Sequence, residues 1–288
     1  MSLQIGLKGG LGNQLFQFAH GINQSIKYDL PISFFWEQIH SQENTPREFE
    51  LNFLNIELNK GYEVENNLEL GIKIVPKNND EKRKIFKEIH IQDKFFFNED
   101  LKINPKRENI IKGYWQSELF FTEYKNEIIK YINNMIIPLR QNHEINDERI
   151  AAIHLRFGDY YYSSSANKVH GVITRKYLHE AIKLFTYFGI NSFNVYTDST
   201  DLAETYVKEY GQDLDFKLMP IRTAILDLSD LSGYSSIIGS NSSYSWWASF
   251  LGHPYKKVVL PRDWFTKEKQ ISNSTVDLFK PEWITIGC

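Results

Sequence analysis

The sequence predicts an α/β protein built on parallel sheets, and three observations carry the prediction. In the second half, apolar runs at 150–155, 192–197, 216–219, 236–239 and 257–260 alternate with segments of helical spacing. Strands and helices in regular alternation imply a parallel sheet with right-handed crossovers. The chain also opens on an apolar run, Leu3 to Leu7, which breaks at a glycine turn and continues into a helical pattern. Finally, the run Ala151-Ala152-Ile153-His154-Leu155 ends abruptly in Arg156, Gly158 and Asp159. In an open α/β sheet, ligands bind outside the carboxyl ends of the strands, so a strand ending this way delivers polar groups to a site.

Taken in order, Leu3 to Leu7 reads as a strand, Lys8 to Gly12 as a turn, and Asn13 as the cap of a helix whose Leu15, Phe16, Ala19, Ile22 and Ile26 share one face. Pro31 to Phe35 reads as a second strand. From Glu37 to Asn109 the chain is polar, with short apolar islands such as Phe95-Phe96-Phe97, and its elements cannot be ordered from sequence. Helical spacing returns at Phe120, Tyr124, Ile128, Ile132 and Ile136, and Pro138 to Asp147 reads as an interdomain link. In the second half, Thr174 is placed to cap a helix carrying Tyr177, Ala181, Ile182, Phe185 and Phe188, with Gly189 ending it. A helix follows Thr200 and closes at Gly211. Further helical stretches run from Ala224 to Tyr234 and from Ser242 to Leu251.

At 288 residues the chain is long enough for two domains on a prior of roughly 150 residues each. Charged residues make up 24% and the net charge is −3, so any anion site must come from a local cluster rather than an overall basic surface. That balance argues against a nucleic-acid partner. The one cysteine, Cys288, permits no internal disulfide and suits a reducing compartment. No signal-peptide pattern is present, and no window approaches the roughly 20 apolar residues of a membrane span. The expectation is a cytoplasmic protein without an integral membrane segment.

Three polar clusters are predicted on strand ends. Arg156 suits phosphate or carboxylate through its planar fork; the alternative is a local Arg156–Asp159 pair in a turn. Gly9-Gly10-Leu11-Gly12-Asn13 opens a helix, where backbone N–H groups favour negative charge; the alternative is a tight connection only. Asp198 either accepts hydrogen bonds from a ribose or base, or caps the next helix. Asn241-Ser242-Ser243-Tyr244-Ser245 supplies hydroxyls and N–H groups to an anion, or forms an N-cap with Trp246 and Trp247 as core. The eight histidines form no zinc motif, and no G-x-S-x-G elbow is present. No metal site is expected.

Three blocks carry a resemblance to the α-1,2-fucosyltransferase family of inverting glycosyltransferases: Gly9-Gly10-Leu11-Gly12-Asn13-Gln14-Leu15-Phe16-Gln17, His154-Leu155-Arg156-Phe157-Gly158-Asp159-Tyr160, and Ser240-Asn241-Ser242-Ser243-Tyr244-Ser245-Trp246-Trp247. Lys257-Val258-Val259-Leu260-Pro261 and Trp264 extend it. The resemblance implies a GT-B fold of two Rossmann-like domains facing across a cleft, with an acceptor-side domain over 1–140 and a GDP-sugar-binding domain over 141–288. It implies GDP-L-fucose as donor substrate, no cofactor or metal, and transfer to the 2-hydroxyl of a terminal galactose in an oligosaccharide or lipid-linked glycan such as an O-antigen unit. Such an enzyme would work at the inner face of a bacterial plasma membrane. Residue by residue, it implies that Arg156 holds the donor diphosphate, with Ser242, Ser243 and nearby N–H groups assisting. His154 and Asp198 contact the nucleoside, and Asn13 the sugar or acceptor oxygen. Gly10, Gly12, Asn241, Tyr244 and Ser245 complete the donor-binding set. Asp159 is the nearest candidate base in sequence; the alternative is that it holds the loop by pairing with a backbone N–H. The family pattern has two consecutive arginines where this chain has Arg156 and Phe157, which leaves Lys8 or Arg175 as substitute cations. Alternatives are another linkage, or a GDP-sugar-binding protein without turnover.

Overall fold

The computed structural model describes residues 1–37, 47–56, 87–92, 96–97, 101–210, 213–270 and 273–287. Gly211, Cys288, Phe95 and most of the polar stretch between Glu37 and Asn109 lie outside the described residues. Among the described residues the chain forms two compact units, one from those of 1–135 with 274–278, the other from those of 136–273 with 279–287.

The first unit is a four-stranded parallel sheet in the order β2-β1-β4-β3. Its strands are β1 (Leu3–Leu7), β2 (Ile32–Trp36), β3 (Lys87–Ile91) and β4 (Glu108–Lys112). Between β1 and β2 runs α1 (Leu11–Tyr28), which buries Leu15, Phe16, Ala19 and Ile22. Gly21 lets α1 close on the sheet: a Cβ there would stand 2.7 Å from Ile5. The helix is enclosed around much of its circumference, so Gln14, Gln17, His20, Asn23 and Gln24 are buried too. Each such group needs a partner, and these partners organise the site below. Helix α2 (Lys125–Ile136) starts later than its apolar spacing suggests, because Phe120 and Phe121 sit in a preceding 3-10 turn.

The second unit is a six-stranded parallel sheet in the order β10-β9-β8-β5-β6-β7, with β5 (Ile150–Leu155), β6 (Ser192–Thr197), β7 (Asp215–Leu218), β8 (Ser236–Ile238), β9 (Lys257–Pro261) and β10 (Ile284–Ile286). Counted within the unit, this is the Rossmann order 3-2-1-4-5-6 read from the far edge. Strand order reverses between β5 and β8, which pair directly. In the first unit the reversal falls between β1 and β4. The helices are α3 (Gly158–Tyr162), α4 (Ser164–His170), α5 (Arg175–Tyr187), α6 (Thr200–Val207), α7 (Ala224–Leu231), α8 (Ser243–Phe250) and α9 (Lys267–Gln270). Thr174 caps α5 as its position predicts, its Oγ1 accepting from the Tyr177 N–H at 3.1 Å, and Gly189 follows in the left-handed region at φ 82°. Side chains of β5, β6 and α5 form the core, led by Ile153, Leu155, Phe193, Val195, Leu178 and Phe185.

Two expectations differ from what is observed. A contiguous division at 140/141 does not describe the units: 136–140 group with the second, and 274–278 return to the first. There the Ser117 hydroxyl donates to the Asp277 carbonyl at 3.1 Å. The Pro138 to Asp147 stretch belongs to the second unit rather than forming an interdomain link. The buried Asp230 carboxylate accepts from the Gln141 and Asn142 N–H groups at 2.8 and 3.2 Å and pairs with Arg222 at 2.6 Å.

Candidate functional site

Polar side chains gather at the carboxyl edge of each sheet, at the point where strand order reverses. In the second unit the edge is built from the ends of β5, β6 and β8. β5 buries His154 and ends at Arg156, whose guanidinium is caught between two carboxylates. Nη1 donates to Asp198 at the end of β6, and Nη2 to Asp159 on the first turn of α3. Asp198 also accepts from the Phe157 N–H at 2.8 Å. The side chain of Arg156 is 20% exposed, and its guanidinium lies 5.6 Å from the Tyr160 ring. Among the described residues Nε–H donates to nothing, so this fork keeps donors for an anion.

Both sequence alternatives for Arg156 are therefore present in one arrangement: it pairs with Asp159 in a turn, and it stands at a sheet edge. Asp198 does not cap the next helix, a place taken by Ser199. It holds Arg156 and the loop behind it. Asp159 spends Oδ1 on Arg156. Gly158, at φ 31°, makes the clamp possible: a Cβ would stand 2.5 Å from Asp198 Oδ2 and 3.1 Å from Arg156 Cζ.

Phe157 explains the missing second arginine. Its side chain is fully buried in the core, edge-on to Tyr206 at 5.0 Å. A charge there would be stranded without water. The two cations considered as substitutes are engaged elsewhere. Lys8 pairs with Glu37 at 3.1 Å. Arg175 pairs with Glu209 at 2.5 Å and donates to the Thr205 carbonyl at 2.8 Å.

The serine-rich segment after β8 turns most of its side chains inward. Ser240 bridges strand ends, donating to the His154 carbonyl at 2.8 Å and accepting from the Arg156 N–H at 2.9 Å. Ser245 Oγ accepts from the Ser240 N–H at 3.0 Å and lies 2.6 Å from His154 Nδ1. This network is satisfied when Ser245 donates to Nδ1 and the ring carries its proton on Nε2. The Asn241 amide braces three carbonyls, of His170, Gly171 and Trp264, at 2.8, 3.4 and 3.2 Å. Its Oδ1 is buried without a partner among the described residues. Tyr244 donates to the Ala224 carbonyl at 2.6 Å. Ser242 is the N-cap of α8, accepting from the Tyr244 N–H at 3.3 Å, and Trp246 and Trp247 are core. Ser243 is left half-buried at the start of the helix. The segment thus builds the wall behind Arg156 and aims an N-terminal turn outward, rather than presenting a row of hydroxyls.

His154 and His170 stay neutral near pH 7. Burial pushes His154 down to about 4; nearby Asp198 opposes this and Arg156 adds to it. Burial likewise pushes His170 down to about 4, with Asp159 opposing and Arg156 adding; its ring stacks on Tyr160 at 4.6 Å. A histidine whose folded pKa lies below its unfolded value of about 6.5 takes up its proton more readily when unfolded. Stability is then full above pH 6.5 and is lost as pH falls toward 4, by about 1.4 kcal/mol per pH unit for each such group. Urea unfolding between pH 7.5 and 4.5 is expected to show this decline, with a shallower slope in His170→Phe; an unchanged slope in that variant would contradict the assignment.

In the first unit, β1 leads through Gly9 into α1. The helix starts at Leu11 with Gly10 as its N-cap, so Asn13 is not the cap that its residue type suggests. The reason is that the Gly10 carbonyl already accepts from the Asn13 and Gln14 N–H groups, at 2.9 and 3.1 Å. Asn13 lies in the first turn, half-buried, and its Oδ1 accepts from Gln116 Nε2 at 2.6 Å. Gly12 is buried within the same turn. Gln14 and Gln17 hold the turn from below: Gln14 donates to the Gly9 carbonyl at 2.9 Å, and Gln17 accepts from the Lys8 N–H at 3.0 Å. Gln14 and Gln17 stand in the first block that carries the resemblance, without a role of their own, and Gln116 did not stand out in the sequence. The signal that marks Gln116 is the run Gly113-Tyr114-Trp115-Gln116-Ser117 directly after β4, a strand that begins at the end of the polar stretch.

Of the turn's glycines, Gly9 has the obligatory conformation. Its φ is 78° and a Cβ would lie 2.5 Å from Asn13 Nδ2, whereas a Cβ on Gly10 meets nothing closer than 3.9 Å. Gly9→Ala is expected to lower stability by ~1–3 kcal/mol and impair activity, and Gly10→Ala to change stability by less. Equal effects in thermal unfolding and turnover would contradict this reading of the turn.

Among the described residues no group of three His, Cys, Asp or Glu side chains is arranged to hold a metal, and no helix is long and apolar enough to cross a membrane.

Comparison with known proteins bears on what this edge does. The sequence model of the family described as Glycosyl transferase family 11 matches residues 72–287. The chain is 27% identical over 295 residues to an alpha-1,2-colitosyltransferase of Escherichia coli, covering 97% of both. It is 26% identical over 307 residues to the O-antigen biosynthesis glycosyltransferase WbnK of Escherichia coli, covering 97% of this chain and 99% of that one. Among solved structures, a mutant of Arabidopsis thaliana FUT1 in complex with GDP aligns with a TM-score of 0.50 at 10% identity, over 90% of this chain and 69% of the other. That likeness shows the fold.

Proposed function

From the premise that this chain belongs to glycosyltransferase family 11, as its resemblance to the α-1,2-fucosyltransferases implied, we propose that it is an inverting galactoside α-1,2-fucosyltransferase using GDP-L-fucose. The observation that carries the reading is Arg156: a guanidinium held by two carboxylates at the strand-order reversal of a Rossmann sheet, where such sheets bind nucleotides. In the reaction the bond from the fucose anomeric carbon to the β-phosphate breaks and the bond to galactose O2 forms. The O2 proton leaves to solvent or a carboxylate. Negative charge develops on the leaving phosphate, and a fixed donor fork stabilises it best where water is excluded. Arg156 is assigned that role, with the first N–H groups of α8 and Ser243 beside it. Neutral His154 contacts the nucleoside through Nε2. Asp198 and Asp159 keep the fork oriented; a loose, oxocarbenium-like state needs no strong base, which lets Asp159 serve the arginine. Asn13 is assigned to the sugar or acceptor oxygen.

The colitosyltransferase relative favours a second reading, in which the donor is colitosyl, the 3-deoxy counterpart of fucosyl. A site that hydrogen-bonds the fucose 3-hydroxyl rejects a sugar lacking it by several orders of magnitude. GDP release measured with GDP-L-fucose and GDP-L-colitose, each with and without lactose and in excess EDTA, separates the two. Lactose-stimulated, EDTA-resistant release from GDP-L-fucose supports the first reading; release from GDP-L-colitose alone transfers the assignment. A role in O-antigen assembly at the cytoplasmic membrane face follows from the acceptor class proposed, and absence from both cytosolic and membrane-peripheral fractions would overturn that location.

A further inference from the structure

We propose that Gln116 is a positioning residue that fixes the carboxamide of Asn13, so that the amide N–H groups of Asn13 face the reacting sugar or acceptor oxygen. This rests on the assignment of Asn13 above.

The segment after β4 is held in an unfavourable shape from one helix face. Trp115 lies in the left-handed region at φ 55°, where a bulky L-residue is strained. Its carbonyl accepts from the Ser117 N–H at 2.9 Å, closing a three-residue turn with Gln116 at the centre. Gly113, at φ 135°, passes so close to Gln92 that a Cβ would meet its carbonyl oxygen at 2.8 Å.

Three side chains of α1, at 13, 17 and 20, hold this turn. Gln17 donates to the Gly113 carbonyl at 3.0 Å. The His20 ring stacks on Trp115 with centroids 3.9 Å apart and planes at 14°. Asn13 accepts from Gln116 at 2.6 Å. Spacings of four and three residues place the three on one stripe of the helix. A helix that spends its buried polar stripe on forcing a strained turn secures whatever the turn presents, and it presents the Gln116 amide to Asn13.

The direction of that bond matters. Gln116 is buried and donates, so the Asn13 carboxamide must turn Oδ1 toward it. The Asn13 NH₂ group, which donates to nothing among the described residues, is thereby turned the other way, past Gly9, which has no Cβ to obstruct it. Without Gln116 the carboxamide flips freely and presents oxygen or nitrogen alike.

A double-mutant cycle of Asn13→Ala, Gln116→Ala and the pair, read in kcat, acceptor KM, GDP affinity and unfolding temperature, tests this. Gln116→Ala is expected to lower kcat about tenfold, the rate equivalent of roughly one hydrogen bond, with GDP affinity unchanged. In the Asn13→Ala background the same substitution is expected to have no further effect on kcat. Gln116→Glu, whose carboxylate cannot donate, is expected to match Gln116→Ala at neutral pH. If Asn13→Ala is itself silent, the assignment of Asn13 falls; if Asn13→Ala is impaired while Gln116→Ala is silent or additive with it, or if kcat only follows unfolding temperature, the positioning role falls.

Discussion

Replacing Arg156 with alanine is expected to lower transfer by about 10²- to 10³-fold, as removal of one preorganised charge-stabilising group typically does. The substitution also leaves Asp159 and Asp198 facing each other without the cation that both now contact. On the proposed assignment two carboxylates then confront the donor diphosphate, so GDP affinity is expected to fall together with kcat. Arg156→Lys should recover only part of the loss, because a single ammonium cannot span both carboxylates and still offer a fork. Steady-state kinetics with calorimetric GDP titration measures both effects, and full transfer by Arg156→Ala would remove Arg156 from the mechanism.

The second large effect is expected from Gly158→Ala. The added Cβ would intrude on Asp198 Oδ2 at 2.5 Å and on the guanidinium at 3.1 Å, in a residue already at φ 31°. Backbone strain of this kind costs ~1–3 kcal/mol, and the clamp must open to relieve the contact. Turnover is therefore expected to fall at least about tenfold, since a displacement of about 1 Å can cost considerably more. Gly189→Ala is the control. Gly189 has φ 82° and nothing within 4 Å of its would-be Cβ, so it shares the strain without touching the site. The expected pattern in paired unfolding and kinetic measurements is destabilisation in both variants and lost turnover in Gly158→Ala only. Parallel losses in both would mean that the clamp geometry does not govern catalysis.

The second unit was largely legible because its strands are apolar, β-rich and separated by helices with clear caps. The bounds Ile150–Leu155 and Ser192–Thr197 follow directly from where apolar residues stop. The first unit was half hidden. β4, Glu-Asn-Ile-Ile-Lys, is too short and polar at its ends to stand out. β3 carries Ile89 and Ile91 exposed, so its alternation does not mark a buried face. With β4 unseen, the turn at Trp115 and the Gln116 contact had no strand end to attach to. At the site, residue types identified the strand ends correctly but not the direction in which side chains point. Asn241, Tyr244 and Ser245 are placed where a ligand-binding reading wants them, yet their side chains serve the protein's own carbonyls and His154. The same limit applies to Phe157, which packs edge-on to Tyr206 from α6, forty-nine residues further along the chain.

The proposed reaction is transfer of fucose to the galactose 2-hydroxyl with inversion. Nuclear magnetic resonance of the product formed from GDP-β-L-fucose and lactose in excess EDTA tests it most directly. The expected product carries a single α-linked fucose on O2 of the galactose; a different linkage, a β configuration, or no product from an enzyme that binds GDP would overturn the proposed reaction.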